Sequence, residues 1–158
     1  MQHTPSAPNV LVTHTIADTP PLAALAHDLI AAWNAHDARR VSQFFSEDYE
    51  GEDVGLAAAL HGPRDVRRMV LFNTLGIPDL SFTLDDLVVQ GDTFVISWTL
   101  RGTHKGRIMN VPPTGQYITA RGMTLYRVRD GLIYSSRRVW DVAGMLRQFG
   151  LLPDAPAL

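Results

Sequence analysis

The chain has 158 residues, 46% of them hydrophobic and 19% charged, with 14 basic against 16 acidic side chains and a formal net charge of −2. That size and balance fit one globular unit with a sizeable core, and they exclude both a disordered chain and a strongly basic nucleic-acid binder. The absence of cysteine excludes disulfides, thiolate metal sites and a cysteine nucleophile, and it fits a cytoplasmic location.

Residues 1–19 are polar, carry Pro5 and Pro8, and read as a flexible arm with a short extended piece at Val10–Val12. A single domain is expected over residues 20–158. The arm lacks the basic start and continuous apolar run of a signal peptide, and no window approaches the ~18 apolar residues of a membrane span. A first helix is predicted from Pro20–Pro21, capped by Thr19 or Asp18, with Leu22, Leu25, Leu29, Ile30 and Trp33 on one face. Asn34 to Asp37 breaks it, and a second short helix is expected over Ala38–Phe45. Asp48 to Val54 reads as a short strand or extended loop that carries Glu50, Glu52 and Asp53. His61-Gly62-Pro63 opens a third helix, Pro63–Leu75, with Val66, Met69, Val70 and Leu75 inward.

From Leu80 the pattern turns to strands. Leu80–Gln90 and Thr93–Gly102 pair through a tight Gly91-Asp92 turn, the second strand alternating Phe94, Ile96, Trp98 and Leu100. Tyr117–Val128 and Leu132–Trp140 form another hairpin around Asp130-Gly131. A last helix is expected from Asp141 to Phe149, ended by Gly150 and Pro153. Helices followed by a run of antiparallel strands and a closing helix predict an α+β fold, with helices on one side of a curved sheet and a ligand pocket at its open end.

Three stretches carry a family resemblance. They are Leu29–Asp37 with Phe44–Tyr49; Gly102-Thr-His-Lys-Gly106 with Val111-Pro-Pro-Thr-Gly-Gln116; and Asp130-Gly-Leu-Ile-Tyr134 leading to Val139-Trp-Asp141 and Gly144–Pro153. Together, from about Leu22 to Pro153, they resemble the SnoaL-like polyketide cyclases. The resemblance implies a cone-shaped homodimer or higher oligomer that works without metal or cofactor on a small apolar organic molecule. It also implies an acid in the pocket that moves a proton while polar neighbours steady an enolate.

Carried over residue by residue, Trp33 matches the aromatic residue of the cyclase pocket, and His104 the histidine of the G-T-H-x-G turn. The cyclase aspartate, five residues after the isoleucine of D-G-x-I, falls on Arg138. The assisting histidine falls on Thr124, and the asparagine of the third helix on Met69. In the epoxide-hydrolase branch the two aspartates would stand at Arg138 and beside Lys105 and Arg107, and both are missing here.

Strand parity puts Tyr134, Ser136, Arg138 and Trp140 on one face, which the family register turns into the cavity. Arg138 then either clamps a carboxylate, phosphate or enolate, or forms a salt bridge with Glu50, Glu52 or Asp53. Asp141 is an N-cap or a displaced general base. His104 is a proton carrier or a backbone-bonded turn residue. Tyr49, Glu52, Met69, Trp98, Thr124, Tyr126 and Trp140 complete the expected pocket with Trp33. The arginines at 121, 127 and 129 share the opposite parity from Thr124 and Tyr126, and read as a solvated or dimer-facing surface. The scattered histidines give no metal-ligand spacing. Two functions follow: an acid–base enzyme using Arg138 with His104 or Asp141, or a non-catalytic binding or accessory protein that kept the cone.

Overall fold

Three helices precede most of the sheet in the computed structural model, which describes residues 21–56 and 59–154. The expected arm, its Val10–Val12 piece and the Thr19 or Asp18 cap lie outside the described residues. Helix α1 (Pro21–Asn34) buries Ala23, Ala26, Leu29, Ala32 and Trp33. The small alanines face the core, while Leu22, Leu25 and Ile30 pack half-buried at its sides. Asn34 at its end bonds the backbone of Phe82 twice, accepting from its N–H at 2.7 Å and donating to its carbonyl at 2.9 Å. One side chain thus ties the helix to the edge of the sheet.

Helix α2 spans only Ala38–Ser42, capped by Asp37, and Phe45 already belongs to strand β1 (Phe45–Asp53). The longer helix expected to Phe45 is corrected. The Phe44 carbonyl accepts from the N–H of Ile133 at 2.9 Å, so the sheet captures this backbone before another helical turn can form. Strand β2 (Leu60–His61) is a short addition, and helix α3 runs Gly62–Gly76. Val66 and Val70 are buried, but Leu75 is 71% exposed rather than inward. Five residues of helix rotate Leu75 about 140° away from Val70.

Strands β3 (Ser81–Gln90), β4 (Thr93–Thr103), β5 (Tyr117–Arg129) and β6 (Leu132–Trp140) follow, then helix α4 (Val142–Gln148). The sheet order is β2-β1-β6-β5-β4-β3. The β3 to β6 run is antiparallel as predicted, whereas β1 lies parallel to β6, so the curved sheet is mixed. Phe94, Ile96, Trp98 and Leu100 of β4 are all buried, as their alternation predicts. A bulge opposite Arg127 and Val128 resets the parity of β6. Ile133 and Ser136 face inward on either side of it. Tyr134 leaves the face on which it was expected and packs under the Arg129 guanidinium, 4.7 Å from its ring centroid. The result is an α+β cone whose core lies between α1, α3 and the concave side of the sheet.

Candidate functional site

The cone holds a cavity of about 620 Å³, within the range of small-molecule pockets. All three tryptophans of the chain, Trp33, Trp98 and Trp140, line it. Trp33, Phe82 and Trp98 form an edge-to-face ladder with centroid separations of 5.2 and 5.4 Å, a rigid aromatic wall. Gly122 permits this packing, because a Cβ there would collide with the Trp98 ring and press on Trp140.

At the polar end the chemistry gathers on two neighbouring strands. Asp53 of β1 and Arg138 of β6 are direct partners in the parallel register, and both line the cavity. Their closest approach is 3.5 Å, from Arg138 Nη1 to Asp53 Oδ2. Asp53 Oδ1 accepts from the indole N–H of Trp140 and from the Gly55 amide, each at 2.9 Å. The carboxylate is therefore fixed through one oxygen, while the other faces the guanidinium. Arg138 Nη1 also points at Met69 Sδ, 3.4 Å away, a weak acceptor. Tyr126 packs beneath, fully buried, and burial raises its phenol above the ordinary value, so it stays a neutral hydroxyl. Asn73, one turn beyond Met69 on α3, also faces the cavity, its amide donating to the Met69 carbonyl at 2.8 Å. Among the described residues no group of three or more His, Asp or Glu side chains stands close enough together to hold a metal ion.

The expected site residues separate cleanly. Trp33, Met69, Trp98, Trp140 and Arg138 line the cavity. Glu52 does not: it points outward and pairs with Arg137 at 2.7 Å, because β1 buries Tyr49, Gly51 and Asp53 on the opposite parity. Tyr49 is buried against Ser136 Oγ at 2.8 Å, and burial pushes its phenol up to about 12. Thr124 accepts the Trp98 indole N–H at 3.0 Å from behind the wall, so it braces the pocket without lining it. Tyr126 likewise stands behind Arg138 rather than on the cavity surface.

Of the two readings given for each, His104 and Asp141 show the structural one, a bonded turn residue and a helix cap. His104 is fully buried outside the cavity lining, stacked on Phe149 at 4.2 Å. Its Nδ1 lies 3.0 Å from Thr114 Oγ1 and accepts the Thr114 amide at 3.3 Å, which ties the P-P-T-G loop to the end of β4. Asp141 caps α4 by accepting the Gly144 amide at 2.7 Å. Neither reaches the Asp53–Arg138 pair.

A family model described as a SnoaL-like polyketide cyclase matches residues 23–149. The chain belongs to this family. Among solved structures, this SnoaL-like chain is similar to TsrD from Streptomyces laurentii, at 29% identity and a TM-score of 0.77 over 86% of this chain and 99% of that one. It is also similar to AclR from Streptomyces galilaeus, a candidate hydroxylase, at 26% identity and a TM-score of 0.75 over 84% and 87%. IdmH from Streptomyces antibioticus, a candidate polyketide cyclase, shares 26% identity with a TM-score of 0.70 over 82% and 98%. A comparison with curated proteins gives no match.

Asp53 is the group that sequence reasoning passed over, naming it only as a salt-bridge partner. A signal was present. Phe45, Tyr49 and Asp53 recur at even spacing, so once Phe45 is placed in the strand the inward parity selects Asp53 and rejects Glu52.

Proposed function

We propose that this SnoaL-like protein catalyses a proton-transfer reaction of cyclase or isomerase type on an apolar, carbonyl-bearing small molecule, with Asp53 as the acid–base group and Arg138 as the oxyanion clamp. The observation that carries this reading is the direct register of Asp53 with Arg138 on the cavity wall. The family's last-strand acid is an arginine here, and a carboxylate stands beside it on the next strand. Acid and cation still meet, with the carboxylate moved one strand over.

In such a reaction the substrate ring lies against Trp33, Phe82 and Trp98. The Asp53 carboxylate takes a proton from the carbon next to a carbonyl, and the electron pair moves onto the carbonyl oxygen. Arg138 donates hydrogen bonds to that developing enolate, where a fixed charge in a water-poor site acts most strongly. The enolate carbon then attacks a second carbonyl of the same molecule, and protonated Asp53 returns its proton to the new alkoxide. An isomerase would return the proton to a different carbon. Both paths balance without an electron donor or acceptor: the cyclase path forms one carbon–carbon bond as the second carbonyl becomes a hydroxyl, and the isomerase path only moves a proton.

The test is proton exchange from the α-carbon of an aromatic β-diketone in D2O, followed by NMR. Wild type should accelerate exchange, and Asp53→Asn should lose about 10²–10⁴-fold of that acceleration while remaining folded. Binding of the diketone without any acceleration would favour the alternative, a non-catalytic ligand-binding protein. Homodimer formation is supported by Met123 and Val139, register partners 55% and 52% exposed on the outer sheet face. Light scattering should give twice the chain mass for wild type and a smaller mass for Met123→Glu.

A further inference from the structure

The five ionisable groups that line the cavity do not balance. Asp53 faces Arg138 at 3.5 Å, and Asp65 of α3 faces Arg68 at 3.6 Å. The third cation, Arg107, lies on the segment after β4, and among the described residues no carboxylate comes within 4.0 Å of it. Its Nη1 donates to the Asn110 carbonyl at 3.3 Å. That bond braces it against a two-residue turn, Met109-Asn110, whose residues both hold positive φ (48° and 63°) and whose flanks Ile108 and Val111 pair with each other. Ile108 and Met109 of the same turn line the cavity, and Ile108 packs on Gly76 at the end of α3. A bonded turn thus holds one exposed positive charge, without a carboxylate partner among the described residues, on the cavity lining, while the chain as a whole is slightly acidic.

We propose that the cavity selects a substrate bearing one carboxylate, with Arg107 as the group that recognises it. This rests on the reading of the cavity as the substrate site. The apolar body of the molecule occupies the aromatic wall, and its free acid meets the guanidinium of Arg107. An ester or amide of the same ring system lacks the charge that Arg107 pairs. Arg107 is exposed, so with a neutral ligand its charge is left to water and adds nothing to binding. A monoanion pairs with that charge.

Three tryptophans on the lining make occupancy visible as quenching of intrinsic fluorescence. The probes are anthraquinone-2-carboxylic acid and its methyl ester, which share a ring body and differ by one charge. The acid should bind wild type about 5–20-fold more tightly than the ester, as expected for one charge-assisted hydrogen bond. Arg107→Ala should abolish that preference and leave ester affinity within about twofold, Arg107→Lys should keep part of it, and Arg68→Ala should keep most of it. Equal affinity of acid and ester for wild type would overturn the proposal and leave the cavity reading intact. Loss of the preference in Arg68→Ala with retention in Arg107→Ala would also overturn it. Failure of both probes to quench would overturn the cavity reading, and the proposal with it.

Discussion

Asp53 is held by unequal bonds at its two oxygens, and that asymmetry gives the site its direction. The Trp140 indole and the Gly55 amide occupy Oδ1, and Oδ2 is left toward Arg138. Trp140→Phe keeps an aromatic ring but removes the indole N–H donor together with part of the ring surface. It should lower stability by about 1–3 kcal/mol in urea titration, the range for stripping one partner from a buried polar group. His104 makes a different prediction. The Thr114 amide donates to Nδ1, so the neutral ring carries its proton on Nε2, and burial lowers its pKa below the ordinary value of 6.5. The unfolded chain therefore binds a proton near pH 6.5 that the folded protein accepts only at lower pH. Stability from this group is complete above pH 6.5 and falls as the pH drops through that value toward the lowered one. The urea midpoint should decline over this window, and His104→Gln should flatten the decline. An unchanged slope in the variant would remove His104 as its source.

The elements read best from sequence are those whose pattern is local. Strand β6 runs from Leu132 to Trp140 as its flanking turn and cap predict, and the alternation of β4 places Phe94, Ile96, Trp98 and Leu100 inward. The misread elements depend on distant partners. Phe44 and Phe45 suit a helix face, and only the capture of the Phe44 carbonyl by Ile133 makes that stretch a strand. The bulge that turns Tyr134 away from Arg138 likewise exists only against β5. The closing helix offers a control on the mechanism. Asp141→Ala should remove the α4 cap and lower stability by about 1 kcal/mol, with no effect on exchange from a bound diketone. Gly122→Ala should do more harm, because its methyl group meets the Trp98 ring and the base of Trp140. A loss of about 1–3 kcal/mol, together with weakened quenching by an aromatic ligand, is the expected result.

At the scale of the whole molecule, the α+β cone and its pocket were legible because helices, strands and hairpin turns follow one another in an order that few folds satisfy. The aromatic half of the site was legible too, since Trp33, Trp98 and Trp140 carry their own signal. The polar half was legible in part: the family register turned Arg138 into the cavity, and Asp53 stood among its three candidate partners without being singled out. Asp53 and Arg138 meet only because β1 runs parallel to β6 in one particular register, a pairing that no nearby turn announces. His104 and Asp141 each admitted a structural and a chemical reading from sequence, and only the fold shows one bound to a loop and the other to a helix end. Family membership supplied the frame, and the register supplied the residues. The most direct measurement of this account is a crystal structure of the protein soaked with an aromatic β-diketone. The account predicts the ring against Trp33, Phe82 and Trp98, one carbonyl oxygen within hydrogen-bond distance of Arg138, and the intervening carbon next to Asp53 Oδ2. A diketone bound elsewhere, with Arg138 and Asp53 closed into a bidentate pair across an empty cavity, would contradict it.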